Sequence, residues 1–207
     1  MGSFIKERLA GFRDKMEVKG LEACLVSIDE NRHYLSGFTG EDGQFDETAG
    51  MLLLTAAKAF LVTDGRYVTQ AQNETRGFEV VRYPKNIFET VVTLLKELPV
   101  EQLSIEQERF SIEQHQQLLK CVEKADADIE IVAIESLATQ LRLHKDEIEL
   151  ARTSEAIEVA EKAFASVMDE IKPGMTEKEL AWRMEQCMRE AGADDLSFPV
   201  IVAAGTN

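Results

Sequence analysis

The stretch that decides the fold is Ser197–Asn207, S-F-P-V-I-V-A-A-G-T-N. Its β-branched run predicts a buried strand at 200–203, and the small residues that follow allow another backbone or a ligand to approach closely. Upstream, Lys172–Leu180 reads K-P-G-M-T-E-K-E-L. The Pro-Gly pair predicts a helix break, and Thr176 with Glu179 predicts a capped restart. The last third of the sequence is therefore predicted to be helical, with one strand near its end.

The first two thirds alternate between short apolar runs and amphipathic helices. This alternation predicts an α/β domain, a mixed sheet flanked by helices. The runs at 50–55 and 59–63 predict one antiparallel hairpin in an otherwise wound sheet. The other predicted strands are 21–28, 78–83, 103–106 and 129–134. We expect the first domain at 1–134, and a linking helix with the start of a second, incomplete domain at 135–207.

The composition narrows the class of protein. The chain has 207 residues, 44% of them hydrophobic, and a formal net charge of −15. This acidity argues against a nucleic-acid or anionic-membrane partner. The most apolar stretch, 51–62, is short and interrupted by Lys58, so we expect no membrane span and no signal peptide. The three cysteines form no C-x-x-C pair, and we expect a cytoplasmic protein with reduced thiols.

No catalytic constellation can be predicted from spacing alone. The sequence contains no G-x-G-x-x-G, Walker A or H-E-x-x-H pattern. His33, His115 and His144 lack the spacing of metal ligands, and most carboxylates lie on predicted solvent-facing helix surfaces. Composition and spacing alone therefore indicate neither a catalytic residue nor a metal site.

Two N-terminal motifs carry more specific information. Tyr34–Gly40 reads Y-L-S-G-F-T-G, and Thr63–Tyr67 reads T-D-G-R-Y. The glycines suit tight turns, and the forked donors of Arg66 could tie loop carbonyls. With the two C-terminal segments, in this order, they resemble the creatinase/prolidase N-terminal domain followed by the truncated start of an α+β pita-bread domain. This family contains aminopeptidase P, prolidase and creatinase.

The resemblance implies a metallopeptidase that hydrolyses the peptide bond before proline. In such enzymes two Asp, one His and two Glu hold two divalent ions (Mn, Co or Zn), which activate a bridging hydroxide. The resemblance places all these ligands after Asn207, so the chain alone is expected to bind no metal and to be inactive. The implied partners are a peptide with proline at its second position and a second subunit, in a homodimer.

The resemblance also implies two pocket residues, Phe198 and Ile201, lining the S1 pocket. Strand alternation places positions 198 and 201 on opposite faces unless a bulge intervenes. The alternative is that both side chains pack in the core of the second domain.

The polar loop 39–48 is long for a simple connection. In dimeric relatives the matching loop crosses to the other subunit, so Glu41, Asp42 or Asp46 could place a carboxylate near the partner's substrate amine. The alternative is a solvated acidic loop.

Two other functions stay open at this point. One is a pseudopeptidase, an interaction module that has lost the metal ligands. The other is creatinase-type amidinohydrolysis, which uses the same fold without metals. The presence or absence of the five ligands in the next ~150 residues would separate them.

Overall fold

The computed structural model describes residues 2–42 and 47–206, with side chains from Phe4 onward. The chain divides into two compact units, Met1–His144 and Lys145–Asn207, each described here by itself.

The first unit is an α/β sandwich. Its helices are α1 (Gly2–Lys19), α2 (Asp29–Ser36), α3 (Val68–Glu74), α4 (Ile87–Lys96), α5 (Ile112–Lys124) and α6 (Leu137–Arg142). Its strands are β1 (Ala23–Val26), β2 (Met51–Thr55), β3 (Ala59–Thr63), β4 (Glu79–Arg82), β5 (Gln102–Glu106) and β6 (Glu130–Ile134). Within the described residues these strands form one six-stranded sheet in the order β4-β3-β2-β1-β5-β6.

The sheet is mixed, as the sequence predicts. Strand β2 runs antiparallel to both β1 and β3, whereas β1 with β5, β5 with β6 and β3 with β4 are parallel pairs. The carboxyl ends of β1, β3, β4, β5 and β6 therefore meet at one edge of the sheet, where β2 begins. The strand order reverses between β1 and β5, which is where open α/β sheets commonly form a crevice.

Helices cover both faces of the sheet. Side chains of β1 alternate between the faces, as the two-residue period of a strand requires. Cys24 and Val26 pack in a cluster with α1, α2, α3 and α6, whereas Ala23 and Leu25 pack with α4 and α5. All four residues are buried, which explains why the strand reads as a continuous apolar run.

The first unit extends to His144, beyond the boundary expected at 134. Helix α6, expected to link two domains, packs instead against α1 and α2. Its residues Leu137 and Ala138 are 1% and 0% exposed. The apolar face of this short helix makes it part of the first core.

The second unit contains two helices in its described part, α7 (Glu147–Met168) and α8 (Glu177–Glu190). The predicted capping box at Thr176 and Glu179 is formed. The strand expected at 200–203 is not formed, since 199–204 has no regular secondary structure. A strand needs a ladder partner, and the described part of this unit offers none. The Ala204 amide donates to Glu177 Oε1 instead, at 2.8 Å.

No helix in the described ranges is both long and apolar enough to cross a membrane.

Candidate functional site

A polar cleft lies at the edge of the sheet where the parallel strands end. Its volume is about 380 Å³, within the usual range for small-molecule sites. Ser27 follows β1, Met51 begins β2, and Arg109 follows β5, so three neighbouring strands bring their ends to this cleft. Asp42 and Thr48, from the loop before β2, complete the wall on that side.

Asp42 is a candidate loop carboxylate that an ion pair and a backbone hydrogen bond hold in place. Its Oδ1 lies 2.8 Å from a guanidinium nitrogen of Arg32 and accepts from the Ala49 amide at 2.9 Å. The Thr48 hydroxyl lies 3.3 Å from the same oxygen. The Asp42 side chain is 28% exposed, so it remains reachable from solvent.

The structure describes only one of the other two candidate carboxylates. Glu41 is exposed. Asp46 lies outside the described residues. The loop is tied down at its start by Glu74, whose carboxylate accepts from the Thr39 amide and hydroxyl, both at 2.8 Å.

Arg66 does not tie loop carbonyls, contrary to the expectation from the T-D-G-R-Y motif. Its guanidinium binds two carboxylates, Asp64 at 2.7 Å and Glu47 at 3.1 Å. The hydrogen bond to Asp64, with that to Glu47, raises the pKa of Arg66. The carbonyls are instead tied by Arg32, which sequence reasoning missed. The only available signal was its place in α2, three residues before the buried Leu35 and thus on the same helix face.

A second buried polar group, Glu106 at the end of β5, was also missed. Its Oε2 accepts from the Ser27 and Ile28 amides at 2.9 and 3.0 Å, and its Oε1 accepts from Asn31 Nδ2 at 2.8 Å. Ser136 Oγ also donates to Oε1. Burial raises the pKa of the Glu106 carboxyl, while these hydrogen bonds oppose the shift. This buried side chain therefore links the end of β5 to the residues that follow β1.

An ion-pair cluster borders the cleft. Arg109 donates to both oxygens of Glu30 at 2.8 Å and to Asp29 at 3.0 Å. The hydrogen bond with Asp29, together with Arg109, lowers the pKa of Glu30 to about 2, and the same contact raises the pKa of Asp29.

The described residues do not offer the grouped ligands that a pair of metal ions needs. Across the described ranges, no three His, Cys, Asp or Glu side chains are grouped to hold a metal. His33, beside the loop, has its Nδ1 within 3.1 Å of the Phe38 carbonyl oxygen.

Phe198 and Ile201, the pocket residues implied by resemblance, belong to the second unit. Their exposures are 66% and 83%, so neither packs in a core. Both the pocket role and the alternative, packing in the core of the whole second domain, stay predictions.

The chain thus consists of a mixed sheet with helices on both faces, followed in sequence by a second unit that is helical in its described part. Residues 8–144 match the Creatinase/Prolidase N-terminal domain, and residues 151–207 match Metallopeptidase family M24. The chain belongs to the creatinase/prolidase family, and the resemblance seen in its motifs is confirmed.

Solved structures give the same result. A Xaa-Pro dipeptidase from Bacillus anthracis is 29% identical, with a TM-score of 0.84 over 94% of this chain and 51% of that one. An X-Pro aminopeptidase from Thermotoga maritima is 30% identical, with a TM-score of 0.74 over 89% and 51%. The uncharacterized peptidase YqhT of Bacillus subtilis is 29% identical over 96% of this chain and 53% of its own length. The chain thus spans about half the length of the relatives it matches.

Proposed function

We propose that this chain is the N-terminal part of a Xaa-Pro aminopeptidase or dipeptidase that hydrolyses the peptide bond before proline. The observation that carries the proposal is the pair of family matches, one in each unit of the chain. Relatives over both units are named Xaa-Pro dipeptidase and X-Pro aminopeptidase. The substrate is a peptide with proline at its second position, and the protein is cytoplasmic, without a nucleic-acid or membrane partner.

The metal chemistry belongs to residues outside this chain. A pair of divalent ions, Mn, Co or Zn, would lower the pKa of a bridging water in the whole protein. Because the described residues supply no ligand set, we assign no reaction step to them. Their proposed part is to complete the binding site, through Phe198 and Ile201 in a pocket that the rest of the M24 domain closes.

The second proposed contribution comes from the loop 39–48. In a homodimer, Glu41, Asp42 or Asp46 would place a carboxylate near the amine of the partner subunit's substrate. The fixed position of Asp42 supports this proposal, because a carboxylate held by Arg32 loses little freedom when it binds an amine.

The test of activity compares the full-length protein with residues 1–207. With Mn²⁺ or Co²⁺ and a Xaa-Pro dipeptide, we expect the full-length protein to turn over at about 1–10³ s⁻¹ and the shorter chain to show no turnover. Turnover by residues 1–207 would refute the assignment of the chemistry. A full-length protein lacking both turnover and the five ligands would instead be a pseudopeptidase, and metal-free amidine hydrolysis would indicate creatinase-type chemistry.

The test of the loop uses Asp42→Ala and Asp46→Ala in the full-length protein. If the loop reaches the partner's site, KM rises while kcat changes less, because an interaction present in both ground and transition states is lost. Unchanged kinetics in a confirmed dimer would show that the loop is only a solvated surface segment.

A further inference from the structure

Arg32 is a buried cation in the first unit. It lies on α2, its side chain is 0% exposed, and it is the largest of the fully buried side chains. Burying a guanidinium is costly unless its donors are paired and hydrogen-bonded. The contacts that offset this cost show what the residue does.

All of the paired donors of Arg32 point at the loop that precedes β2. Nη2 donates to the Gly40 carbonyl at 2.6 Å, and Nη1 donates to the Gly50 carbonyl at 2.7 Å. Nη1 also lies 2.8 Å from Asp42 Oδ1. The planar guanidinium group of Arg32 therefore contacts the start of the loop, its end and the Asp42 carboxylate. Only arginine presents donors in this rigid arrangement.

The two carbonyls are themselves fixed by close packing. A Cβ on Gly40 would lie 2.3 Å from the Phe38 ring, and a Cβ on Gly50 would lie 2.6 Å from the Val62 carbonyl oxygen. Both positions thus need glycine, and the carbonyl oxygens of Gly40 and Gly50 belong to buried residues. The buried Phe38 ring also lies 5.7 Å from the Arg32 guanidinium, a cation–π distance.

Asp42 lies where this fixed frame meets the cleft. Its Oδ1 receives the contacts from Arg32, Ala49 and Thr48, whereas Oδ2 accepts no hydrogen bond from the described residues. With 28% of the side chain exposed, this carboxylate can accept an N–H donor from outside.

We propose that Arg32 is the positioning residue for Asp42: the buried guanidinium holds the Asp42 carboxylate at the mouth of the cleft through Oδ1 and leaves Oδ2 to accept from an amine ligand. The amine's identity as the substrate N-terminus rests on the proposed function, whereas the positioning stands on the geometry of the first unit. Asp42 is consequently also the counterion of Arg32, so Asp42→Ala disturbs the frame as well as the binding group.

The first experiment needs no activity. Amide hydrogen exchange is measured in residues 1–207 for wild type, Arg32→Lys and Arg13→Lys. Arg13 is a matched control, because it also donates to two carbonyls, Thr55 at 3.1 Å and Lys58 at 3.2 Å, at the other end of the β2–β3 hairpin. We expect Arg32→Lys to speed exchange of the Ala49 amide at least about tenfold, while Leu53 in β2 keeps its protection.

General destabilisation would speed both amides by the same factor, and that result, or an unchanged Ala49 rate, overturns the proposal. If Arg32→Lys does not fold, Asp42→Asn tests the pair from its exposed side. The Asp42→Asn variant keeps an acceptor for the Ala49 amide but removes the charge of the side chain. Faster amide exchange confined to the loop supports the pairing of Arg32 with Asp42, and unchanged exchange overturns it.

The second experiment measures kinetics of the full-length protein with a Xaa-Pro dipeptide. We expect Arg32→Lys and Asp42→Ala each to raise KM about tenfold with kcat nearly unchanged, and the double variant to add little, as residues acting as one unit do. Arg13→Lys should leave KM unchanged. If Asp42→Ala raises KM but Arg32→Lys does not, the positioning proposal is wrong. If neither changes KM while Ala49 exchange is faster, the loop's role in catalysis fails and the positioning of Asp42 stands.

Discussion

Asn31 Nδ2 lies 2.8 Å from Glu106 Oε1, and the two side chains are 0% and 4% exposed. This hydrogen bond joins the first turns of α2 to the carboxyl end of β5. Because the same carboxylate also accepts the Ser27 and Ile28 amides, it satisfies donors at the entrance of α2 that would otherwise be buried without acceptors. The helix has no side-chain cap of its own.

Removing this carboxylate should destabilise the first unit. Glu106→Ala leaves the Ser27 and Ile28 amides without their acceptor and removes one of the three acceptors of Asn31 Nδ2, and we expect the free energy of unfolding to fall by about 3 kcal/mol. Urea denaturation of residues 1–144 measures the loss. Glu130→Ala, on the exposed side of β6, is the control and should change stability by less than about 0.5 kcal/mol.

The pH dependence of stability should report on the same carboxyl group. Its pKa is raised from the ordinary 4.5 by burial, so between 4.5 and the folded pKa the native state binds more protons than the unfolded state. Its contribution to stability therefore falls as pH rises through this window. We expect the difference in unfolding free energy between wild type and Glu106→Gln to decrease from about pH 4 to pH 7. An increase would mean that the hydrogen bonds outweigh burial.

Gly50 should tolerate no side chain. Its φ is +152°, and a Cβ there would lie 2.6 Å from the Val62 carbonyl oxygen in the neighbouring strand. We expect Gly50→Ala to cost about 3 kcal/mol of unfolding free energy through strain and displacement of β2 from β3. Gly77→Ala is the matched control, since Gly77 has φ +83° but open space around its Cα. It should cost only about 1 kcal/mol, measured by thermal denaturation of both variants.

The position of the first unit's end can be tested by truncation. Residues 1–134 lack helix α6, whose Leu137 and Ala138 are 1% and 0% exposed in the intact unit. We expect this fragment to be less stable than residues 1–144 by about 3–5 kcal/mol, the cost of exposing the core that the helix covers. Equal denaturation midpoints and slopes for the two fragments would show that α6 is only a connection.

Several features followed from local sequence. The β2–β3 hairpin is predicted because two apolar runs flank the short connection 56–58, and the structure pairs Leu52 with Leu61. The capping box at Thr176 and Glu179 is formed for the same kind of reason, since its two partners lie three residues apart. The order of the motifs was sufficient to identify the family, because each motif is a contiguous stretch that can be recognised in the sequence itself.

The tertiary structure decided the contacts between residues that are far apart in sequence. Arg32 is buried because the loop folds back over it, and no pattern near position 32 indicates a carboxylate ten residues later. Glu106 takes its donors from 30 to 79 residues away in sequence. Conversely, the apolar run at 200–203 has strand propensity but forms no strand, because a strand's hydrogen bonds come from a second segment. Local sequence sets which conformations are favoured, whereas burial and pairing depend on which distant groups meet.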